Sequence, residues 1–116
     1  MNDTNERDPA AVRARMLELA RKFIARTTED LAQMRAALAQ LDEGHESGNG
    51  GGLEVIRQLA HRACGTSGTL GLHALSDAAG ELELLIDALP GGAPGTADRE
   101  RVAAGIEAIA ARLVPL

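Results

Sequence analysis

Between Ala10 and Leu113 the apolar residues recur three and four positions apart, in successive stretches separated by polar, glycine or proline breaks. This spacing follows the 3.6-residue turn, so each stretch predicts an amphipathic helix with one buried stripe. The first, Ala10 to Arg26, places Val12, Met16, Leu19, Ala20, Phe23 and Ile24 on that stripe, with Pro9 suited to the first helical position. Thr27 and Thr28 can cap a second helix that has Glu29 and Asp30 in its positive first turn and Leu31, Met34, Leu38 and Leu41 inward. The two either run together or kink near Arg26. A third helix starts near Leu53 and turns Ile56, Leu59, Ala60, Ala63 and Leu70 inward, with Ser67 as a small residue among them. The fourth runs from Leu72 or Ala74 to Leu89 and buries Leu75, Ala78, Ala79, Leu82, Leu85, Ile86 and Leu89 before Pro90-Gly91-Gly92 stops it. Thr96 is expected to cap a fifth, which buries Val102, Ile106, Ile109, Ala110 and Leu113 and ends at Pro115.

A core for 116 residues must here be built without rings, because Phe23 is the only aromatic residue. Ala and Leu, the best helix formers, take their place, and β-branched residues are sparse. The expected fold is all-α: one domain, an antiparallel four-helix bundle with an additional N-terminal helix that extends it or covers one end. Residues 1–9 read as a flexible N-terminal tail and 10–116 as the bundle. Glu43 to Gly52 holds five glycines and no apolar anchor, so it reads as a linker in which His45 is a solvated loop residue.

The charge balance narrows the function. Twelve Lys and Arg against seventeen Asp and Glu leave a net −5, which argues against nucleic acid as a partner. The one local basic excess, Arg13, Arg15, Arg21, Lys22 and Arg26, is interleaved with Glu18 and bordered by Glu29, and reads as a solvated helix face. A single cysteine, Cys64, makes no internal disulfide. No apolar run reaches the ~18 residues of a membrane span, and the polar start resembles no signal peptide. A cytoplasmic protein without membrane attachment is expected, and a monomer, since no long heptad seam is visible.

The third helix contains an anomaly. Gly65 and Gly68 each cost about 0.8–1 kcal/mol relative to Ala inside a helix, and this chain uses Ala freely elsewhere. On a helical wheel both glycines fall on the side away from the apolar stripe, on the same face as His61. Glycine there removes side chains that would crowd the imidazole and lets another surface approach the ring. Arg57 and Gln58, one turn before His61, offer a cation and an amide to an anion on that ring. Three readings compete: a surface histidine beside incidental glycines, a metal ligand, and an exposed imidazole that takes and returns a phosphoryl group. His45, His61 and His73 match no metal-ligand spacing, and no metal site is expected. The phosphoryl reading alone accounts for the glycines. The series Gly65, Gly68, Gly71 follows a helix and lacks an accompanying lysine-threonine or lysine-serine pair, which argues against a nucleotide loop.

The run Leu59-Ala60-His61-Arg62-Ala63-Cys64-Gly65-Thr66-Ser67-Gly68-Thr69-Leu70-Gly71-Leu72, followed by Leu75-Ser76-Asp77-Ala78-Ala79-Gly80-Glu81-Leu82-Glu83, resembles the histidine phosphotransfer (HPt) domain of bacterial phosphorelays. The resemblance covers the helix order from about Ala10 to Leu113, and its specific part is about twenty-five residues. It implies a four-helix bundle whose exposed histidine, His61, accepts a phosphoryl group from a receiver domain or a hybrid histidine kinase and passes it to a response regulator. It also implies that Gly65 is the close-approach glycine beside the active ring. Where the family commonly has lysine three residues after the histidine, this chain has Cys64, and Arg57 is the candidate to substitute for it. Cys64 itself lies at the edge of the buried stripe and reads as a small packed residue, since no third group orients it as a nucleophile.

The expected site is therefore His61 as phosphoacceptor, Arg57, Gln58 and Gly65 as phosphate neighbours, and Cys64, Gly68 and Leu84 as a docking surface. Ser76, Gly80, Glu83 and Leu84 share the face of the fourth helix opposite its buried stripe, which leaves Leu84 exposed. No cofactor is expected, and any Mg²⁺ would belong to the receiver's acidic site. The chain has no ATP-binding motif, so it would act as a phosphoryl carrier without kinase activity of its own. The alternative is an HPt-like interaction module that carries no phosphate and binds a receiver or kinase to inhibit or scaffold it.

Overall fold

A computed structural model describes residues 8–42, 51–90 and 94–114. Residues 43–50 of the expected linker 43–52, with His45, residues 1–7 of the expected tail 1–9, and Pro115 lie outside the described residues. Those described form four helices: α1 (Pro9–Asp42), α2 (Gly51–Thr69), α3 (His73–Asp87) and α4 (Thr96–Ala111).

The first two predicted helices are one. Between Ala10 and Asp42 there is neither Pro nor Gly, and Thr27 and Thr28 do not cap. Their hydroxyls instead donate to the carbonyls of Phe23 and Ile24 one turn back, both at 2.9 Å. A threonine hydroxyl can be satisfied either way, and here the return bond keeps the backbone ladder intact. Thr27 is thereby buried without an unsatisfied group.

The start of α2 also differs from expectation. Gly51, at a φ of +27°, and Gly52 are its first residues, and a Cβ on Gly52 would lie 2.8 Å from the Ala37 carbonyl oxygen and 3.2 Å from Leu41 Cγ. Glycine here permits close packing on α1. At its other end, α2 stops at Gly71, whose φ of +79° suits glycine. The Leu72 N–H donates to the Ser67 carbonyl and the Gly71 N–H to the Gly68 carbonyl, at 2.8 and 3.2 Å. These are the two bonds of a Schellman termination. Gly95 precedes α4 at the cap position, so Thr96 is the first helical residue and provides no side-chain cap.

Each helix touches its two neighbours around a square, α1 to α2 to α3 to α4 and back to α1. The direction alternates. Gly52 meets Ala37 and Leu41 while Arg62 meets Asp30, so α2 runs against α1. Cys64 meets Ser76 and His61 meets Glu83, so α3 runs against α2. The centre is filled by Met34, Ile56, Ala60, Ala79, Leu82, Val102, Ile106 and Ile109, all within 1% of full burial. Gly105 lets α4 approach α3, since a Cβ there would fall 2.8 Å from Leu82 Cδ1.

The molecule measures 60 × 21 × 20 Å. A 34-residue helix is about 51 Å long at 1.5 Å per residue, whereas α2 with 19 residues is about 28 Å. The N-terminal end of α1 therefore overhangs the bundle. Val12, Met16 and Leu19, expected on a buried stripe, are 40–46% exposed, and Ala20 is the first buried residue of the helix. Their periodicity is helical, but α2–α4 are too short to cover them.

Candidate functional site

On α2 the exposed crest carries His61, Arg62, Gly65 and Thr66 between its two packed flanks. His61 leans toward α3 and Arg62 toward α1, as the 100° step between neighbours requires. The His61 side chain is 72% exposed, and its Nδ1 lies 2.7 Å from Oε2 of Glu83. A carboxylate offers only acceptors, so Nδ1 carries the proton of this bond. That leaves the lone pair on Nε2, the nitrogen a second molecule would meet. One turn on, a Cβ on Gly65 would meet no packing atom of the described residues within 4 Å, so no contact among them requires glycine there.

Arg57 and Gln58 are brought to the same side as predicted, yet both are engaged. Arg57 makes a two-pronged pair with Glu54 at 2.9 and 3.1 Å, and Gln58 donates to the same carboxylate at 2.9 Å. Arg57 also lies 3.7 Å from Glu83 and 3.9 Å from Asp87 across the groove. Its hydrogen bond, then that of Gln58, holds the Glu54 carboxyl below the usual carboxylate range. The same bond to Glu54, followed by its charge, raises the guanidinium of Arg57, with smaller contributions from Asp87 and Glu83. The imidazole thus sits at the end of a chain of polar contacts, Gln58–Glu54–Arg57–Glu83–His61.

The face of α3 that meets this row is the one expected to point outward. Ser76, Gly80 and Glu83 are partly buried against α2; Leu84 alone is exposed, at 70%. Short side chains explain the difference. The Ser76 hydroxyl donates to the Cys64 carbonyl at 3.0 Å, and a Cβ on Gly80 would be 3.3 Å from Cys64 Sγ. Cys64 is half-buried, with its sulfur 3.6 Å from Ser76 Oγ, so its contacts are within the chain, in keeping with a packed cysteine. Gly68 is exposed, and a Cβ there would touch Ser76 Oγ at 3.4 Å. At that distance the contact would be an ordinary one, so α3 does not exclude a side chain there.

Sequence reasoning missed the roles of Glu54, Glu83 and Asp87. Glu54 had a local signal, standing three and four residues before Arg57 and Gln58. Glu83 and Asp87 had none, because their role depends on how α3 is rotated against α2. Among the described residues, no group of three or more His, Cys, Asp and Glu side chains is placed to hold a metal ion, and no helix is long and apolar enough to cross a membrane.

An exposed histidine beside an open glycine in a four-helix bundle is the arrangement implied by the resemblance in sequence. No curated protein and no solved structure matches the chain. A family model described as the Hpt domain matches residues 18–113, which spans all four helices and leaves out only the overhang of α1 and the chain ends. The chain belongs to the Hpt domain family, whose members take part in phosphotransfer in two-component signalling.

Proposed function

We propose that the chain relays a phosphoryl group between receiver domains, or from a hybrid histidine kinase to a response regulator, through phosphohistidine at His61. The Nε2 lone pair attacks the phosphorus of an aspartyl phosphate, the new N–P bond forms, and the P–O bond to the aspartate breaks with its electron pair returning to the carboxylate. No proton has to move during the transfer. The ring gains positive charge while Nδ1 keeps its proton, and the Glu83 carboxylate at 2.7 Å stabilises that charge. Transfer onward reverses the same steps.

The observation that carries this reading is the pairing of the Glu83–Nδ1 bond with a ring that is 72% exposed. The open space at Gly65 supports it, since a receiver must bring its aspartate to within a nitrogen–phosphorus bond of the ring. Arg57 and Gln58, on the His61 side of α2, contact the phosphoryl group once they turn from Glu54, and exposed Leu84, with Gly68 and the edge of Cys64, offers a receiver its docking contact. The test is transfer from labelled phospho-receivers to the wild type and to His61→Gln. Acid-labile, base-stable label on the wild type alone is the expected result; label on neither chain from any receiver or kinase overturns the proposal.

One observation favours the phosphate-free module as a second reading. With Cys64 in the usual lysine position, the cation nearest the ring on the α3 side is Arg57, and three carboxylates surround it. A receiver that binds the chain without ever labelling it would select this alternative.

A further inference from the structure

The two flanks of the α2 crest carry opposite charge. Toward α3, His61 meets Glu83, and Arg57 lies between that carboxylate and those of Glu54 and Asp87. Toward α1, a cleft of about 330 Å³ is lined by Lys22, Phe23, Arg26, Asp30, Arg62 and Thr66. Asp30 is 4% exposed and lies 3.3 Å from the Arg62 guanidinium, so the one carboxylate of the cleft sits at its floor while the cations form its rim. The positive charge continues along the overhang. Residues 9–26 hold five Lys and Arg and one Glu, against seven Lys and Arg and sixteen Asp and Glu in the rest of the chain. The bundle does not account for this segregation, since residues 9–19 pack against none of its buried core.

We propose that the α1–α2 cleft and the basic overhang form an electrostatic docking strip for an acidic protein surface, the rim of the receiver that exchanges phosphate with His61. This rests on the reading under Proposed function. Arg62 follows His61 directly in α2, so a partner seated on the imidazole already covers the mouth of the cleft. The cations attract its acidic rim on the α1 side, while Glu83 and Asp87 repel it on the α3 side, so the charge pattern fixes orientation as well as affinity. Exposed Val12, Met16 and Leu19 lie along the same overhang and supply apolar contact beside the cations. A second copy laid antiparallel along the overhang would oppose like charges. A flat lipid surface would not enter a cleft between two helices.

Binding of purified receiver domains to the full chain is measured by calorimetry at low and high salt for the wild type, Arg101→Gln, Lys22→Glu/Arg26→Glu and the milder Lys22→Gln/Arg26→Gln. The receiver is expected to bind Arg101→Gln, a charge change on α4 away from the strip, as it binds the wild type, and the charge-reversed chain about tenfold more weakly. The neutral pair falls between, and salt dependence shrinks in step with the charge removed. In transfer assays the concentration of receiver needed for half-maximal rate rises, and the rate at saturation stays. Equal affinity for all four chains with flat salt dependence overturns the docking strip and leaves the phosphotransfer reading standing. Self-association, or binding to phosphatidylserine vesicles, that the wild type shows and the charge-reversed chain loses reassigns the strip and overturns it too. If no receiver binds or exchanges label, the phosphotransfer reading falls and the strip with it.

Discussion

Gly65 stands one turn past His61 with no packing atom of the described residues near the place of a Cβ, so no contact among them repays its cost to the helix. Gly65→Ala should therefore stabilise the fold by about 0.5–1 kcal/mol in urea unfolding, and slow transfer because its methyl stands where a receiver must approach. A protein made both more stable and slower separates access from folding; a more stable chain of unchanged rate would show that the approach lies elsewhere. Glu83 sets which nitrogen of His61 is free. Glu83→Ala should slow phosphorylation about tenfold, equivalent to losing about 1.4 kcal/mol of orientation and charge stabilisation. Glu83→Gln should recover part of the loss, since its amide oxygen still accepts from Nδ1–H. Nitrogen NMR of the ring checks this directly: the wild type should show one tautomer and Glu83→Ala a mixture. The position of His61 and the anomaly of its glycines were legible in the sequence, because exposure on a helix follows from spacing. The partner of its Nδ1 was not, because it comes from another helix.

Helix ends and junctions were read less well than helix faces, for a chemical reason. Threonine satisfies its hydroxyl either at a cap or on the carbonyl one turn back, and Thr27 and Thr28 take the second course inside a continuous α1. Glycine breaks a helix in one setting and permits close packing in another, and Gly51 and Gly52 begin α2 instead of ending the linker. Gly71 is the unambiguous case, since its positive φ is closed by both hydrogen bonds of the termination motif. Gly71→Ala should cost about 1–2 kcal/mol, the penalty of a Cβ in left-handed backbone, seen as a lower urea midpoint at unchanged slope. A loss confined to transfer activity would mean that the turn can be made another way.

The bundle as a whole is closed by Arg35 of α1 reaching Glu107 of α4 with two hydrogen bonds at 2.8 and 2.9 Å. The hydrogen bond first, and then the charge of Arg35, hold the Glu107 carboxyl below its ordinary range, as Arg57 does for Glu54. A depressed carboxyl contributes stability that is full above its unfolded value, near 4.3 for Glu, and is lost as pH falls through the lower folded value. The unfolding midpoint of the wild type should therefore drop on acidification through that range, and Glu107→Gln should drop less, having lost the contribution at neutral pH already. Both groups are solvent-exposed, so the difference should be small and shrink with salt. An identical acid profile in the two chains would remove the pair from the stability of the bundle. By itself the sequence determined that this chain is helical, which residues form the buried stripes of α2, α3 and α4, and that His61 stands exposed, because each of these follows from spacing along one helix. The tertiary structure alone decided the rotation that brings Glu83 to His61 and turns Ser76 and Gly80 inward. It also left the first turns of α1 uncovered. These depend on how side chains of different size fit between helices of unequal length, and no single helix contains that information.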